Sequence, residues 1–246
     1  MCLQTIANSD WNIFLFAGLR DYLRRLRQRN KLICYWLVRL TGSPPSFTFR
    51  GKRYRHFWHR YNATWRNERA VEIPIALDFI RAARGGSILE VGNVLSHYVP
   101  VWHEVVDKYE KAAGVQNEDI CDFRPGRKYD LILSISTLEH VGFDEGPTDE
   151  TKVLRAFKNL RCLLAPNGKL VATIPLGYNP ALDRLIEEGS ISFTECAYLK
   201  RMPDRNQWRE AGAWEVRNPY YDRTACIAHE LFIGIFDNSD AGTGGS

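Results

Sequence analysis

The chain has 246 residues, of which 45% are apolar, and a formal net charge of +4. This size and composition predict one substantial hydrophobic core with an appendage. The apolar stretches WNIFLFAGL and KLICYWLVRL are too short for a membrane-spanning helix, which needs about 20 apolar residues, and no cleavable signal peptide is visible.

Cysteine and histidine usage indicates an intracellular protein without a metal centre. The six cysteines form no Cys-x-x-Cys pair, and several lie in apolar runs, as in reduced proteins. His56 and His59 are three residues apart, but no cysteine or third histidine is near them in sequence. We therefore expect a cytoplasmic protein, either free or peripheral at the inner face of a membrane, and no metal site.

Positive charge is concentrated near the start of the chain. Residues 20–69 contain 14 lysines and arginines against two acidic residues, and the remainder of the chain is mildly acidic. Such a basic front indicates an anionic partner: a membrane surface, a nucleic acid or an acidic protein.

Residues 1–45 are predicted to form a basic, amphipathic helical extension. Between residues 11 and 40, apolar side chains recur about three or four residues apart with arginines between them. They are Leu15, Leu19, Tyr22, Leu23 and Leu26. The stretch TGSPPS then ends the helical pattern. The apolar face either docks on a membrane surface or a partner, or packs on the body as a cap with its arginines in solvent.

Residues 46–85 are predicted to form a helical lead-in rich in arginine and aromatic residues. Arginines are interleaved with Tyr54, Phe57, Trp58, Tyr61 and Trp65. Such a pattern either stacks bases or sugars and holds phosphates, or is ordinary helix packing with arginine stems lying along the surface. The stretch NERAVEIPIALDFIRAA favours a helix that ends at the glycine pair after it.

From residue 86 to residue 237, short apolar runs alternate with amphipathic stretches. Strands are predicted at SILEVG, HEVVDKY, VQNEDI, YDLILSIS, GKLVATIPL, ISFTECAYLKR and ACIAHELFIGIF, and helices at DETKVLRAFKNLRCLL and PALDRLIEEG. This alternation predicts an α/β fold, a doubly wound and mostly parallel seven-stranded Rossmann-like sheet with helices on both faces. Residues 238–246 are small and polar and are predicted to be a disordered tail.

Ligands of such sheets bind at the carboxyl ends of the strands, and four predicted strand ends carry polar residues. They are Glu90, Gly92 and Asn93 after the first strand, Asp107 after the second, Asp119 and Asp122 after the third, and the segment SISTLEHVGFDE after the fourth. Asp107 lies 17 residues after Glu90, where a nucleotide-binding fold places the acid that binds a ribose diol. A strand-end aspartate can also serve only to keep the surface soluble.

Taken together, these segments resemble the class I S-adenosylmethionine-dependent methyltransferases over about residues 86–236. ILEVG looks like the first motif of that family, and NEDICDF is similar to its acidic segment beside the adenine. YDLILSISTLEHV resembles the fourth-strand motif of the small-molecule branch, and LRCLLAPNGKLVATIPLG matches the helix, turn and strand that follow. The resemblance implies S-adenosylmethionine as the cofactor.

The resemblance also implies a role for each strand-end residue. Glu90 and Gly92 would lie beside the methionine part of the cofactor, and Asp107 would accept hydrogen bonds from the ribose. Asp119 and the backbone N–H of Ile120 would bind the adenine. Ser134 and Ser136 would line the floor of the pocket near the sulfonium, and Glu139 and His140 would face the acceptor at its mouth. Without a ligand, Glu139 and His140 could equally be a helix N-terminal carboxylate and a packed histidine.

The sequence departs from the family pattern at two places. Val94 and Ser96 stand where the family has its second and third glycines, so we expect a loop rebuilt around Asn93, which tolerates left-handed backbone, with His97 and Tyr98 added to the substrate pocket. Only 11 residues separate Asp107 from Asp119, so a loop or single turn is expected in place of a helix, with Lys108 and Tyr109 near the adenine.

The predicted activity is methyl transfer to a small-molecule, glycan or lipid-linked acceptor, most simply to an oxygen. His140 is the expected catalytic base, because histidine titrates near neutral pH, with Glu139 and His97 as alternatives. Tyr178 and Trp208 are expected to shape the acceptor pocket. Two other interpretations stay open: a nucleic-acid methyltransferase that docks through Arg50–Arg69, and a non-catalytic binding subunit.

Overall fold

The computed structural model describes residues 44–203 and 206–239, together with residues 33, 36, 40 and 42. The chain divides into two compact units, Met1–Pro44 and Pro45–Ser246. The helical pattern predicted for residues 11–40 and the predicted tail beyond residue 239 lie outside the described residues, so both stay predictions. The architecture that follows is that of the second unit.

In its described residues, the second unit contains strands, three α-helices and several short 3-10 helices. The strands are β1 (Ser46–Phe49), β2 (Lys52–Arg55), β3 (Ile88–Val91), β4 (Glu104–Val106), β5 (Val115–Gln116), β6 (Tyr129–Ile135), β7 (Leu164–Pro175), β8 (Glu195–Arg201), β9 (Trp208–Ala211), β10 (Tyr221–Asp222), β11 (Ile227–Ala228) and β12 (Glu230–Asp237). The α-helices are α1 (Arg69–Ala82), α2 (Lys152–Leu163) and α3 (Pro180–Glu187), and the 3-10 helices are Tyr61–Arg66, Leu95–His97, Leu138–His140 and Ala213–Val216.

The main sheet has eight strands in the order β5-β4-β3-β6-β7-β12-β8-β9. The first five strands run parallel, β12 is antiparallel to both of its neighbours, and β9 is antiparallel to β8. The predicted α/β fold with a mostly parallel sheet is therefore confirmed. The sequence interpretation missed β9, because the run WREA has few apolar residues and only Trp208 of it is buried.

Both faces of the sheet are covered, as the continuous apolar strands predicted. Side chains alternate along β6, so Leu131, Leu133 and Ile135 pack on the face that α1 covers. Tyr129 and Ile132 point to the opposite face, where the helices α2 and α3 pack. The core therefore lies in two layers on either side of β3, β6 and β7.

The prediction of a helical lead-in from residue 46 is wrong for its first ten residues, which form the antiparallel hairpin β1–β2. Arg50 and Gly51 both have positive φ, at +52° and +73°, which suits the tight turn of a two-residue hairpin. Phe47 and Phe49 alternate inward and are almost fully buried. This period of two, masked by the arginines around it, distinguishes a strand from a helix.

The predicted strand ACIAHELFIGIF is also divided, since β11 and β12 are separate strands in different sheets. More important for function is where the strand order reverses. From β3 the chain moves outward to β4 and β5 on one side, and later to β6 and β7 on the other. The carboxyl ends of β3 and β6 therefore flank the crevice where open α/β sheets bind their ligands.

Candidate functional site

A cavity of about 450 Å³ opens at the carboxyl ends of β3, β4, β5 and β6. Its wall is made by four loops, one after each of these strands. The lining residues used below are Gly92, Asn93, Asp107, Lys108, Tyr109, Asp119, Ile120, Ser136, Thr137, His140 and Glu145. The four strand ends singled out in the sequence thus meet at one cavity, whose volume is typical of small-molecule sites.

Gly92 makes the sharp turn that leads from β3 into the cavity wall. Its φ is +86°, and its N–H donates to the Val106 carbonyl oxygen at 2.8 Å. Val94, where the family has a second glycine, has a φ of −99° and needs no glycine. Asn93 is not left-handed either, so the expectation that it supplies left-handed geometry is wrong.

Glu90 holds this loop from beneath. Its side chain is fully buried, and its Oε1 accepts hydrogen bonds from the N–H groups of Val94 and Leu95 at 2.9 and 2.8 Å. Its Oε2 lies 2.7 Å from Nε2 of His103, a partner that the sequence interpretation missed. Glu90 does not line the cavity, and its carboxylate is engaged in fixing the loop backbone.

Asp107 sits at the cavity wall with its carboxylate oriented by three backbone groups. Oδ2 accepts from the Asn93 N–H at 3.0 Å, and Oδ1 accepts from the N–H groups of Tyr109 and Glu110, both at 2.8 Å. The side chain of Asn93 donates in turn to Glu110 at 2.8 Å. Carboxylate oxygens have further lone pairs, so Asp107 can still accept from a diol.

The connection between Asp107 and β5 contains no helix, which confirms the predicted shortening. In place of a helix, Lys108 and Tyr109 line the cavity, and Tyr109 is 68% exposed. Among the described residues, none accepts a hydrogen bond from the Ile120 N–H, although its carbonyl accepts from Asn159 at 2.6 Å. This N–H is therefore available to a ligand.

Asp119 occupies the predicted position, but it is already paired. Its Oδ2 accepts from Lys152 at 2.6 Å and lies 3.0 Å from Lys108, and its Oδ1 accepts from the Cys121 N–H at 3.0 Å. Partial burial by itself would raise the pKa of Asp119, but the hydrogen bonds from Lys152, Cys121 and Lys108 outweigh it and hold that pKa well below its usual range. Asp119 is thus a carboxylate at neutral pH.

Of the two serines predicted for the cavity floor, Ser136 lines the cavity and Ser134 does not. Ser134 is fully buried within β6, its Oγ has no partner among the described residues, and it does not line the cavity. Ser136 lines the cavity with a φ of +40°, and its Oγ donates to Oε1 of Glu72 at 2.5 Å. Thr173 donates to the same oxygen at 2.6 Å. Glu72 of α1 therefore fixes the floor, and no strand-end signal pointed to it.

Glu72 belongs to a largely buried cluster of ionisable residues with Glu68, Arg69 and Glu139. Arg69 donates to Glu72 Oε2 at 2.7 Å and to the Ile135 carbonyl at 3.3 Å. Burial, together with the neighbouring Glu72, raises the pKa of Glu68 to about 7. Burial also raises the pKa of Glu139 well above its usual range, and no described residue is hydrogen-bonded to its Oε2. Glu139 is only 1% exposed, so it is not a surface-accessible base.

His140 stands at the mouth of the cavity with a carboxylate behind it. Its Nδ1 makes a short hydrogen bond to Oδ2 of Asp144, which also accepts from the Tyr178 hydroxyl at 2.6 Å. The Tyr178 ring lies edge-on to the imidazole, with centroids 4.7 Å apart. Among the described residues, the ion-pair partner of Nε2 of His140 is Oε1 of Glu139, at 3.7 Å. A histidine held through Nδ1 in this way presents Nε2 as an acceptor of protons.

None of the four predicted substrate residues lines the cavity, although one of them, Tyr178, lies beside His140 at its mouth. His97 stacks on Tyr61 at 4.5 Å and pairs with Glu110 at 3.0 Å, and the Tyr98 ring meets Tyr61 edge-on. Trp208 is 3% exposed in the core around β9, and its indole N–H donates to Asn206 at 2.8 Å. The prediction for Trp208 needs correction, because β9 is the far edge strand of the sheet and cannot bring it to the cavity.

Two further observations concern only the part of the chain that the structure describes. There, no group of three histidine, cysteine, aspartate or glutamate side chains is arranged to hold a metal ion. Nor does any helix there have the length and apolar character that crossing a bilayer requires.

Comparison with known proteins gives structural matches only: no family model and no curated protein matches. N-methyltransferase NodS from Bradyrhizobium japonicum, in complex with S-adenosylhomocysteine, is 16% identical over 66% of this chain and 83% of its own, with a TM-score of 0.37. The sugar N-methyltransferase KedS8 from a Streptoalloteichus species is 17% identical over 68% and 87%, with a TM-score of 0.36. A possible histamine N-methyltransferase from Thermotoga maritima is 16% identical over 66% and 86%, with a TM-score of 0.40.

Because these identities and TM-scores are low, the assignment of the fold rests on the chain's own features. These are the strand order, with the antiparallel strand β12 inserted between β7 and β8, the cavity at the point where that order reverses, and the motifs at the strand ends. The chain has the Rossmann-like fold of the class I S-adenosylmethionine-dependent methyltransferases.

Proposed function

We propose that this protein is an S-adenosylmethionine-dependent methyltransferase that acts on a small-molecule, glycan or lipid-linked acceptor. The observation that carries the proposal is the meeting of Asp107 and the unbonded N–H of Ile120 in one cavity at the switch point of the sheet. These two groups supply an acceptor for ribose hydroxyls and a donor for an adenine ring nitrogen.

The other lining residues fit the same cofactor. Gly92 lets the backbone turn without a side chain in the cavity, and Ser136 and Thr137 lie at the end of β6. Asp119 can accept from the adenine amino group only by sharing its oxygens with Lys108 and Lys152. The assignment of Asp107 to the ribose is therefore better supported than that of Asp119 to the adenine. When bound, S-adenosylmethionine would supply an activated methyl group.

The protein's share of the reaction is to position the acceptor, exclude water and move one proton. For a hydroxyl acceptor, we assign the base to His140, whose Nε2 would take the proton of the acceptor hydroxyl as that oxygen receives the methyl group. Asp144 orients the imidazole through Nδ1 and stabilises the imidazolium that forms. The Tyr178 hydroxyl holds Asp144 in place by a hydrogen bond. Glu139 is buried near Arg69, so we do not assign it as the base.

Contacts within the basic front favour this proposal over the nucleic-acid alternative. Arg50 pairs with Glu195, Lys52 with Asp78 and Arg69 with Glu72, so these cations are partly neutralised inside the fold. Phe57 and Tyr61, which could have stacked on bases, pack against the Tyr98 ring. We propose instead that the front contacts an anionic membrane surface or partner protein.

Isothermal titration calorimetry with S-adenosylmethionine and S-adenosylhomocysteine tests the proposal directly. We expect saturable binding of both, with one site per chain. Absence of heat and of any thermal shift at millimolar ligand would refute the cofactor assignment. Binding without methyl transfer to any offered acceptor would support the alternative of a non-catalytic subunit.

A further inference from the structure

Two lysines and two carboxylates form a closed network across one end of the cavity. Lys108 Nζ lies 3.0 Å from Oδ2 of Asp119 and 2.9 Å from Oε2 of Glu145. Lys152 Nζ contacts the same two oxygens, at 2.6 Å to Asp119 and by a short hydrogen bond to Glu145. The four residues come from the loops after β4, β5 and β6 and from the start of α2, so the network ties three strand ends together.

The two lysines differ in exposure and therefore in role. The Lys152 side chain is 11% exposed and forms the fixed base of the network, whereas that of Lys108 is 36% exposed. Lys108, Asp119 and Glu145 line the cavity and Lys152 does not. Lys108 is therefore the lysine of the network that can separate from its partners. Its ion pair with Glu145 joins the loop after β4, beside Asp107, to the loop after β6.

The hydrogen bonds of the network shift the pKa values of Lys108 and Glu145 in the directions that keep both groups charged. Partial burial alone would lower the pKa of Lys108 and raise that of Glu145, but the hydrogen bonds between them outweigh this, so the pKa of Lys108 is raised and that of Glu145 is lowered. Solvent and salt screen a network of four charged groups in a cleft less than they screen a single ion pair on the surface.

Resting on the proposed function, we propose that the Lys108–Glu145 ion pair is a clamp that closes over the bound adenosine part of the ligand and slows its release. The ammonium group lies 5.1 Å from the ring centroid of Tyr109, which also lines the cavity. The clamp thus covers the part of the cavity that a helix after β4 would otherwise cover. It determines how long the ligand stays rather than how the methyl group is transferred.

The sign of the effect separates a clamp from simple charge attraction. S-adenosylmethionine carries a net positive charge, because its sulfonium and ammonium groups outnumber its carboxylate. Removing the Lys108 ammonium should therefore strengthen binding if only long-range charge mattered. A clamp predicts the opposite, weaker binding through faster release.

The experiment measures dissociation of S-adenosylhomocysteine and S-adenosylmethionine by stopped flow from the full chain. The variants are Lys108→Met, Glu145→Gln and the double variant, with Lys111→Met as a matched control that removes an exposed lysine three residues further on. We expect each single variant to release both ligands on the order of fivefold faster, as for a partly exposed ion pair. The double variant should be no faster than the singles, because both remove the same pair.

Four results are decisive. Release at the wild-type rate from Lys108→Met, or multiplied effects in the double variant, would overturn the clamp while leaving the proposed function intact. Tighter binding of S-adenosylmethionine by Lys108→Met would also overturn the clamp. No binding of either ligand by the wild type would overturn the clamp and the proposed function together.

Discussion

Gly92 and Thr137 approach each other so closely that only glycine fits at position 92. A Cβ built on Gly92 would lie 2.2 Å from the Oγ1 of Thr137, and the φ of Gly92 is +86°. The contact joins the loop after β3 to the loop after β6, across the point where the strand order reverses. It explains why this glycine is present although the second and third of the family pattern are replaced.

We predict that Gly92→Ala lowers the free energy of unfolding by about 2–4 kcal/mol, since it adds a steric clash to the cost of a left-handed alanine. Thr137→Ala in the same chain should restore part of the loss by removing the clashing atoms. Gly85→Ala is the matched control, because Gly85 has a φ of +92° with nothing within 4 Å of its Cβ position. Urea unfolding measures all three, and equal losses for Gly85→Ala and Gly92→Ala would contradict the steric argument.

The Asp107 carboxylate should account for a large part of cofactor affinity. We predict that Asp107→Ala weakens S-adenosylmethionine binding by about 1.5–3 kcal/mol, the usual value of hydrogen bonds to a charged group. The exposed Asp122, in the loop after β5, provides the control, and Asp122→Ala should bind normally. If titration calorimetry gives the same affinity for both variants, Asp107 does not contact the ribose.

His140 should affect turnover and leave cofactor affinity nearly unchanged. With a hydroxyl acceptor, we expect His140→Ala to lower turnover by ~10²–10⁴-fold, the usual contribution of a positioned proton-transfer group. Asp144→Ala should lower it less, because the imidazole remains and loses only its orientation. His97→Ala, which changes a histidine off the cavity, should retain most activity.

Two outcomes would count against this assignment. Normal turnover in His140→Ala would make His140 a packing residue beside Tyr178. Loss of S-adenosylmethionine binding in the same variant would place His140 at the cofactor and not at the acceptor.

The buried Glu68 should make stability fall as the pH rises. Its pKa is raised from 4.5 to about 7, so between these values the folded state holds a proton that the unfolded state has released. Below pH 4.5 both states are protonated, and above pH 7 both are ionised, so the loss is confined to this window. As the pH rises from 4.5 to 7.5, we expect the free energy of unfolding to fall by on the order of 2 kcal/mol less in Glu68→Gln than in the wild type.

Urea unfolding at several pH values measures this difference, with Glu188→Gln at an exposed glutamate as the control. Parallel pH profiles for the wild type and Glu68→Gln would show that Glu68 does not hold the proton.

The part of the basic front that lies within residues 1–44 should control membrane contact and not cofactor binding. Residues 1–44 contain seven lysines and arginines and two acidic residues. Deleting them should reduce retention on anionic vesicles at low salt, and added salt should reduce retention of the intact chain as well. Cofactor affinity should stay the same, because Asp107 and Ile120 belong to the other unit. Equal retention of the intact chain on neutral and anionic vesicles would argue against an electrostatic membrane contact.

The amino-acid sequence by itself determined the order of the strands and α-helices from β3 to β8, the presence of β12, and the four strand ends that meet at the cavity. Local signals suffice for this: continuous apolar runs mark buried strands, and polar residues that follow them mark the ligand-binding edge. The shortened connection after Asp107 could likewise be predicted, because 11 residues cannot hold a full crossover with its helix.

Only the tertiary structure decided which side chains complete the site. Glu72 reaches Ser136 from 64 residues away, Lys152 reaches Asp119 from 33, and Tyr178 reaches Asp144 from 34. Such contacts leave no periodic signal, because they depend on how α1, α2 and the loop after β7 pack on the sheet. For the same reason, the burial that raises the pKa of Glu139 and makes its side chain inaccessible, and the burial that keeps Trp208 away from the cavity, arise from packing and not from the residues on either side.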